Sequence, residues 1–242
     1  NGTKVMIECL KQLNINTIES IRLWKIKTED EGVRALCDYI QACNQNLAIL
    51  DLLDNGIGYL GCKFIGDMYY LNFKTIMINT LVLDHNSISD KGLESLVNGL
   101  RKSSTLKSLS LSYCNLQAKS ANYIQQLLAF IDSNLENLNL QGNYFENEGL
   151  FQILRVLEIS NKVKEINLTE NQIIDEKMVM EQLLLTMSKN ESLYLINLTH
   201  NLISEETAND ILTLVKSRLK PKVELTQRFN STFSQEYNNV MM

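Results

Sequence analysis

A single spacing of apolar residues recurs through most of the chain and can be written LxxLxLxxNxL, where L is a large apolar residue. Six clear copies begin at Leu47, Ile78, Leu106, Leu135, Val163 and Leu193, and a weaker copy begins at Ile18. Counted along the sequence, successive copies start 28 to 31 residues apart. Self-similarity at such a period indicates a repeat protein, in which one structural unit is stacked many times.

Each copy predicts a strand, a turn and a helix. The LxL segment alternates apolar and polar positions, which is the pattern of a short strand with one buried face. Four places after the last motif residue a glycine recurs, as Gly32, Gly61, Gly92 and Gly149. Apolar residues then follow at helical spacing, in the third copy at Leu93, Leu96, Val97 and Leu100. Ser89, Asp175 and Ser204 are placed to cap the first turns of three such helices.

The stacking of these units predicts a curved solenoid of the α/β class. Neighbouring strands lie about 4.8 Å apart, whereas packed helices need about 8 to 10 Å. The helical side is therefore longer, so about seven parallel strands should line a concave wall and the helices a convex wall. We expect residues 18–220 to form this solenoid, residues 1–17 to be the end of a truncated preceding repeat, and residues 221–242 to form a C-terminal cap and polar tail.

A polar residue recurs at one position of the motif. It is asparagine in five copies, as Asn55, Asn86, Asn143, Asn171 and Asn201, and Cys114 takes the position in another. Inside a tight coil, an amide side chain can donate to and accept from backbone groups that the turn leaves unpaired. We therefore predict a structural asparagine ladder rather than a ligand site, with Cys114 as a poorer hydrogen-bonding member.

The long repeat, the Asn or Cys position and the full helix after the glycine resemble the ribonuclease-inhibitor-like subfamily of leucine-rich-repeat proteins, over residues 18–218. The resemblance implies a horseshoe-shaped leucine-rich-repeat solenoid whose concave face and rims bind proteins. That subfamily includes nuclease inhibitors, activators of the Ran GTPase, immune-sensor repeat domains, actin-filament cappers and ciliary scaffold subunits, so fold alone does not choose a function. The chain departs from the pattern where Ser120, Lys177 and Thr207 replace the glycine, and we expect those turns to differ.

The outward-facing positions of the predicted strands are the candidate protein-binding residues, because the other positions form the core. They are Arg22, Trp24, Asp51, Leu53, Val82, Asp84, His85, Ser112, Tyr113, Asn139, Gln141, Asn167, Glu170, Asn197 and His200. Trp24, Leu53 and Tyr113 are the strongest candidates, since large apolar groups on an exposed face often anchor partners. For each of them alone, a harmless exposed side chain is the alternative interpretation.

Charge and motif content argue against several other functions. The net charge of −5 disfavours nucleic-acid binding, which requires clustered lysines and arginines. The sequence contains no GxxxxGK, HExxH or GxSxG motif, and its two histidines, His85 and His200, fall four repeats apart, too far to share a metal. No apolar run reaches the roughly 18 residues of a membrane-spanning helix. We therefore expect no enzyme activity, no cofactor, no metal and no membrane insertion.

These features favour a non-catalytic scaffold or adaptor that binds protein partners within a multi-subunit complex, cytoskeletal or ciliary assemblies included. The five cysteines form no CxxC pair and fit the reduced thiols of a cytoplasmic protein. Two alternatives follow from the resemblance. A regulator of a small GTPase, similar to the Ran activator, is disfavoured because the sequence has no acidic tail. An enzyme inhibitor, similar to the nuclease inhibitors, would be richer in cysteine and more negatively charged.

Overall fold

The computed structural model describes residues 2–43, 46–216 and 222–225, in which helices and strands alternate. The strands are β1 (Ser20–Arg22), β2 (Ile49–Asp51), β3 (Thr80–Val82), β4 (Ser108–Ser110), β5 (Asn137–Asn139), β6 (Glu165–Asn167), β7 (Leu195–Asn197) and β8 (Lys222–Glu224). The helices are α1 (Gly2–Gln12), α2 (Glu29–Cys43), α3 (Tyr59–Asn72), α4 (Ser89–Leu100), α5 (Ala121–Ala129), α6 (Glu146–Leu157), α7 (Lys177–Lys189) and α8 (Glu205–Lys216). A 3-10 turn, Ala118–Ser120, precedes α5.

The strands form one parallel sheet in chain order, from β1 to β8. Their central apolar residues are in register, so that Ile21 lies opposite Leu50 and Leu50 lies opposite Leu81. Every connection from β1 to β8 carries one of the helices α2 to α8. The predicted α/β solenoid, with a parallel sheet on the inner wall and helices on the outer wall, is therefore confirmed. The polar tail expected after β8 lies outside the described residues.

The core lies between the sheet and the helices and continues from one repeat to the next. The central strand residues Leu50, Leu81 and Leu109 are at most 1% exposed, and Leu93 and Leu96 of α4 are fully buried. Burying one such side chain contributes about 1.5 to 3 kcal/mol. Because one strand and one helix cannot bury their apolar faces alone, the stacking of neighbouring repeats supplies this burial.

The recurrent asparagines connect each turn to the preceding one. The Asn86 carbonyl oxygen accepts hydrogen bonds from the N–H groups of Asn55 (2.9 Å) and Ile57 (3.0 Å) in the preceding repeat. Its amide nitrogen donates to the carbonyl oxygens of Leu52 and Leu83, both at 2.9 Å. Asn55, Asn143, Asn171 and Asn201 also bond to backbone groups of both their own and the preceding repeat. These side chains satisfy buried backbone groups that would otherwise be left without partners.

The residue before each of these asparagines, and before Cys114 at the same motif position, has a left-handed backbone conformation. It is Asp54, His85, Tyr113, Gly142, Glu170 or His200, with φ between 51° and 67°. Because this residue turns the chain at the end of its strand, the six positions follow one another along one edge of the inner wall. We call these six residues the rim row.

The three predicted helix caps have different outcomes. The Ser204 hydroxyl accepts a hydrogen bond from the N–H of Thr207 (3.2 Å) and so caps α8. Asp175 instead accepts a hydrogen bond from the N–H of Ser204 in the next repeat (3.1 Å), and α7 has no side-chain cap. Helix α4 begins at Ser89 without a side-chain cap, because Ser89 has a φ of 60° and donates its N–H to the carbonyl of Cys114 (3.1 Å).

Candidate protein-binding surface

The candidate residues line the inner wall and differ in how accessible their side chains are. Five are exposed: Arg22, Trp24, His85, Tyr113 and His200. Nine are half-buried: Asp51, Leu53, Val82, Asp84, Asn139, Gln141, Asn167, Glu170 and Asn197. The structure thus brings fourteen of the fifteen predicted residues to an at least partly accessible position along consecutive strands.

Ser112 departs from the expectation of an accessible side chain, because it is only 4% exposed. It lies beyond the last residue of β4, where the chain has already begun to turn. Its N–H donates to the Asp84 carboxylate of the preceding repeat (2.8 Å), which holds this segment against its neighbour. The alternation of a regular strand therefore does not extend to this position, and we remove Ser112 from the candidate surface.

At the β1 end of the surface, Trp24 is held in place while its ring stays accessible. The indole N–H donates to the Asp51 carboxylate (2.8 Å), and the side chain is 55% exposed. The same carboxylate accepts a hydrogen bond from the N–H of Leu53 (3.3 Å). An indole that is fixed at its polar edge and open on its face can contact a partner with little further loss of side-chain freedom.

Tyr113, near the centre of the rim row, contacts side chains of three other repeats. Its ring stacks on His85, with ring centroids 4.6 Å apart and planes inclined by 16°. Its hydroxyl accepts a hydrogen bond from the Gln141 amide (3.0 Å) and donates to the Glu170 carboxylate (3.1 Å). Burial, and then the Glu170 carboxylate, raise the pKa of the Tyr113 phenol, so the phenol keeps the proton that it donates.

Gly142 makes this position of Tyr113 geometrically possible. A Cβ atom added to Gly142 would overlap the Tyr113 ring, and Gly142 also has a left-handed φ of 67°, which glycine adopts more easily than other residues. The other five rim-row positions carry side chains. The absence of a side chain at Gly142 therefore lets the Tyr113 ring pass over β5 and reach Glu170 in the β6 repeat.

Hydrogen bonds between outward-facing side chains link neighbouring strands. Ser110 donates to the Asp84 carboxylate (2.6 Å) and accepts from the Asn139 amide (3.0 Å). Further along the sheet, the Asn167 amide donates to the Gln141 side-chain carbonyl (3.4 Å). The hydroxyl of Thr169 in the β6 repeat, which is only 4% exposed, shares another bond with Thr199 of the β7 repeat (3.0 Å). The inner wall from β3 to β7 is thus a polar surface whose side chains are already ordered by one another.

The side chains of this surface offer aromatic faces and hydrogen-bonding groups. Within residues 2–43, 46–216 and 222–225, no group of three or more His, Cys, Asp or Glu side chains is placed to hold a metal ion. His85 and His200 follow β3 and β7, and His85 is engaged with Tyr113. In the same described residues, no helix combines the length and the apolarity needed to cross a bilayer.

Sequence reasoning missed the role of Gly142 and the part of Ser110 in the polar network. A signal for Gly142 was present in the sequence, because this rim-row position is glycine here, whereas the other clear copies have Asp54, His85, Tyr113, Glu170 or His200. The signal does not name Tyr113 as the residue that uses the space, since the two are separated by a whole repeat.

Comparisons with known proteins agree with this architecture. A family model described as Leucine Rich repeat matches residues 43–66, 76–97 and 102–124. The chain is 28% identical over 148 residues to human NACHT, LRR and PYD domains-containing protein 13, which covers 61% of this chain and 14% of that protein. It is 27% identical over 169 residues to mouse NACHT, LRR and PYD domains-containing protein 14, covering 68% of this chain and 16% of that protein. The chain thus spans less than a fifth of the length of these relatives.

A solved structure, the tropomodulin C-terminal domain from Caenorhabditis elegans, superposes on this chain with a TM-score of 0.49 and 18% sequence identity. The match covers 65% of this chain and 91% of that domain. The segments matched by the family model contain β2, β3 and β4, three consecutive units of the sheet whose register repeats without interruption. Both the matched segments and the architecture that continues on either side of them are those of a leucine-rich-repeat solenoid.

Proposed function

We propose that this chain is a non-catalytic scaffold or adaptor that holds a protein partner against the inner wall of its sheet. The observation that carries the proposal is the pair of accessible aromatic residues, Trp24 and Tyr113, each fixed by hydrogen bonds to neighbouring repeats. They belong to the β1 and β4 repeats, so at strand spacing they lie about 15 Å apart. Two anchors at this separation fit within one interface of standard size, about 800 Å² on each partner.

The prior ordering of these side chains favours binding. Immobilising a side chain in an interface costs about 0.5 to 1.5 kcal/mol, and most of that cost is already met where the free protein holds the side chain in place. Aromatic residues also bury a large area with few rotatable bonds, and they are enriched among the residues that dominate binding energy. Trp24 and Tyr113 therefore combine both properties on one accessible wall.

The proposal is tested by quantitative affinity capture from extracts of the organism's own cells, using the whole chain. We expect the double variant Trp24→Ala, Tyr113→Ala to lose the proteins that the unmodified chain retains, by about ten-fold or more. The matched control is Tyr70→Ala, which removes an exposed aromatic residue from α3 on the outer wall and should retain them. If the double variant captures the same proteins at the same level as the control, the inner wall is not the binding surface.

We further propose that the chain works as a subunit of a larger assembly, and that cytoskeletal or ciliary assemblies are the class to test. The support is the resemblance to a subfamily that includes actin-filament cappers and ciliary scaffold subunits. Co-sedimentation of the chain with actin filaments and with microtubules measures this directly. Sedimentation with one polymer, lost in the Trp24→Ala, Tyr113→Ala variant, supports a cytoskeletal role. Equal recovery in the supernatant with and without either polymer contradicts it.

A further inference from the structure

A groove opens on the outer wall between α7 and α8, with a volume of about 610 Å³. Among the described residues, these two are the adjacent helices in least contact. The residues that line the groove come from both helices and from the turn before α7: Asp175, Glu176, Lys177, Met180, Glu181, Leu184, Thr207, Asp210, Ile211 and Thr213. The groove is remote from the inner wall, since the sheet and the core lie between them.

The third residue of α8 differs from the glycine that earlier repeats have at this position. In earlier repeats the glycine of the first helical turn faces the preceding helix, so that a Cβ atom at Gly61 would lie 2.6 Å from Asp30 Oδ1. At Gly149 the added atom would lie 3.3 Å from the backbone of Ala118. Thr207 occupies this position in α8 and lines the groove. Its side chain therefore lies in space that glycine leaves free in the earlier repeats.

A change in the turns accompanies the separation. In alternate repeats Asp30, Asp90 and Asn147 accept a hydrogen bond from the backbone of the next repeat, at Gly58, Gln117 and Ile174 respectively. The β6 repeat breaks this alternation, because Asp175 makes the same bond to Ser204 one repeat later. Two consecutive turns of the same kind thus precede α7 and α8, which is where the outer wall opens.

The groove has an apolar floor and negatively charged walls. Met180, Leu184 and Ile211 supply the floor, and four carboxylates, Asp175, Glu176, Glu181 and Asp210, stand around it. Lys177 is the one cation among the described lining residues, and its ammonium lies 3.8 Å from Glu181. The described lining residues therefore carry a net charge of −3, from four carboxylates and one ammonium.

A second, smaller depression continues this surface toward α6. It is lined by Glu148, Phe151, Glu176, Met178 and Val179, together with Asn147 and Gln152, and has a volume of about 270 Å³. Met178 is 65% exposed on its edge. Methionine side chains adapt to irregular apolar partners, and Glu148 and Glu176 extend the negative charge.

We propose that the α7–α8 groove is a second protein-docking site, which takes a basic segment whose apolar side chains enter between the helices. The charge of the walls selects the occupant, because lysines and arginines of such a segment would meet Glu181 and Asp210. Its apolar residues would contact the half-buried Leu184 and the accessible edge of Met180. A helix or extended segment seated in a hydrophobic groove with opposite flanking charge is a common mode of peptide recognition. This site is independent of the inner wall and of the partner proposed for it.

The test uses the whole chain labelled with 13C at its methionine methyl groups. The probe is a peptide of repeated Leu-Lys-Lys triplets, about twelve residues long, and a second peptide has Glu in place of Lys. We expect the basic peptide to shift the Met180 signal, while the signal of Met68, which is fully buried on α3, stays in place. Binding should weaken by about ten-fold or more in the variant Glu181→Lys, Asp210→Lys, which reverses two wall charges.

The matched control is Asp38→Lys, Asp67→Lys, which makes the same change of charge at exposed positions of α2 and α3. It should bind the peptide as the unmodified chain does, and circular dichroism should show both variants folded. Equal binding of the acidic peptide, or equal loss in the control, overturns the proposal. So does a concentration-dependent dimer that only the Glu181→Lys, Asp210→Lys variant abolishes, because the occupant would then be a second copy of the chain.

Discussion

Replacing Asn143 with alanine tests the energetic role of the asparagine ladder. The Asn143 side chain is 1% exposed and sits between the β4 and β5 repeats. Its oxygen accepts from the N–H groups of Cys114 (3.0 Å) and Leu116 (3.1 Å), and its nitrogen donates to the carbonyls of Leu111 and Leu140, both at 2.9 Å. The substitution removes these four bonds, together with a longer one from the amide nitrogen to the Gln141 carbonyl (3.2 Å), and leaves the backbone groups buried.

The ordinary strength of such hydrogen bonds sets the size of the expected loss of stability. The net contribution of one hydrogen bond to stability is about 0.5 to 1.5 kcal/mol, and a buried polar group left without a partner costs about 1 to 3 kcal/mol. Four bonds of ordinary length therefore predict that the free energy of unfolding falls by about 3 to 5 kcal/mol. Since an ordinary domain is stable by about 5 to 15 kcal/mol, this loss is large, and it falls in the middle of a stack whose repeats stabilise only their neighbours.

Guanidinium unfolding, followed by circular dichroism, measures this loss. We expect the Asn143→Ala transition to shift to lower denaturant and to become less cooperative, because the repeats on either side are uncoupled. Asn122→Ala is the control, since Asn122 is an exposed residue of α5 and should change stability by less than about 0.5 kcal/mol. A loss below about 1 kcal/mol for Asn143→Ala would refute the reasoning, because it would mean that the ladder bonds contribute nothing beyond those of water.

Three further measurements test other parts of the structure. Gly142→Ala should displace the Tyr113 ring and lower stability by about 1 to 2 kcal/mol, a loss that should shrink when Tyr113 is also alanine. Burial raises the pKa of Asp90, but hydrogen bonds from neighbouring groups outweigh it and hold the pKa below its ordinary 3.8. The ionised carboxylate therefore stabilises the fold above that pH, and this stabilisation is lost as the pH falls. Asp90→Asn should accordingly flatten the acid side of the plot of stability against pH. Native maleimide labelling should modify exposed Cys9 and spare Cys62, whose pKa burial raises to about 12.

The sequence allowed the architecture to be predicted because the repeat period and the strand pattern are both local signals. Leu50, Leu81 and Leu109 recur at the same place in successive copies, and the sheet aligns them without a shift of register. A shift of one residue would place every buried leucine on the exposed face. Once the period is recognised, the positions that face the inner wall follow from alternation alone.

Features that depend on contacts between repeats could not be predicted in the same way. The alternation of apolar and polar residues predicted that Ser112 would be accessible. In the structure its N–H donates to Asp84 of the preceding repeat, a contact that the local pattern does not contain. The Tyr113 network joins β4, β5 and β6 and depends on Gly142, which in isolation suggests only a turn. The replacement of glycine at Thr207 predicted that a turn would differ, although not that a groove would open beside it.

The inner and outer walls respond differently to sequence change because different forces set their spacing. Backbone hydrogen bonds hold neighbouring strands at about 4.8 Å whatever their side chains are, so substitutions on the inner wall alter its chemistry and leave its shape intact. Side chains set the distance between helices, so substitutions in the helices change how closely the units of the outer wall approach one another. A repeat protein of this kind can therefore hold one partner on a rigid, pre-ordered sheet and acquire a second docking site by changing a few residues of its helices.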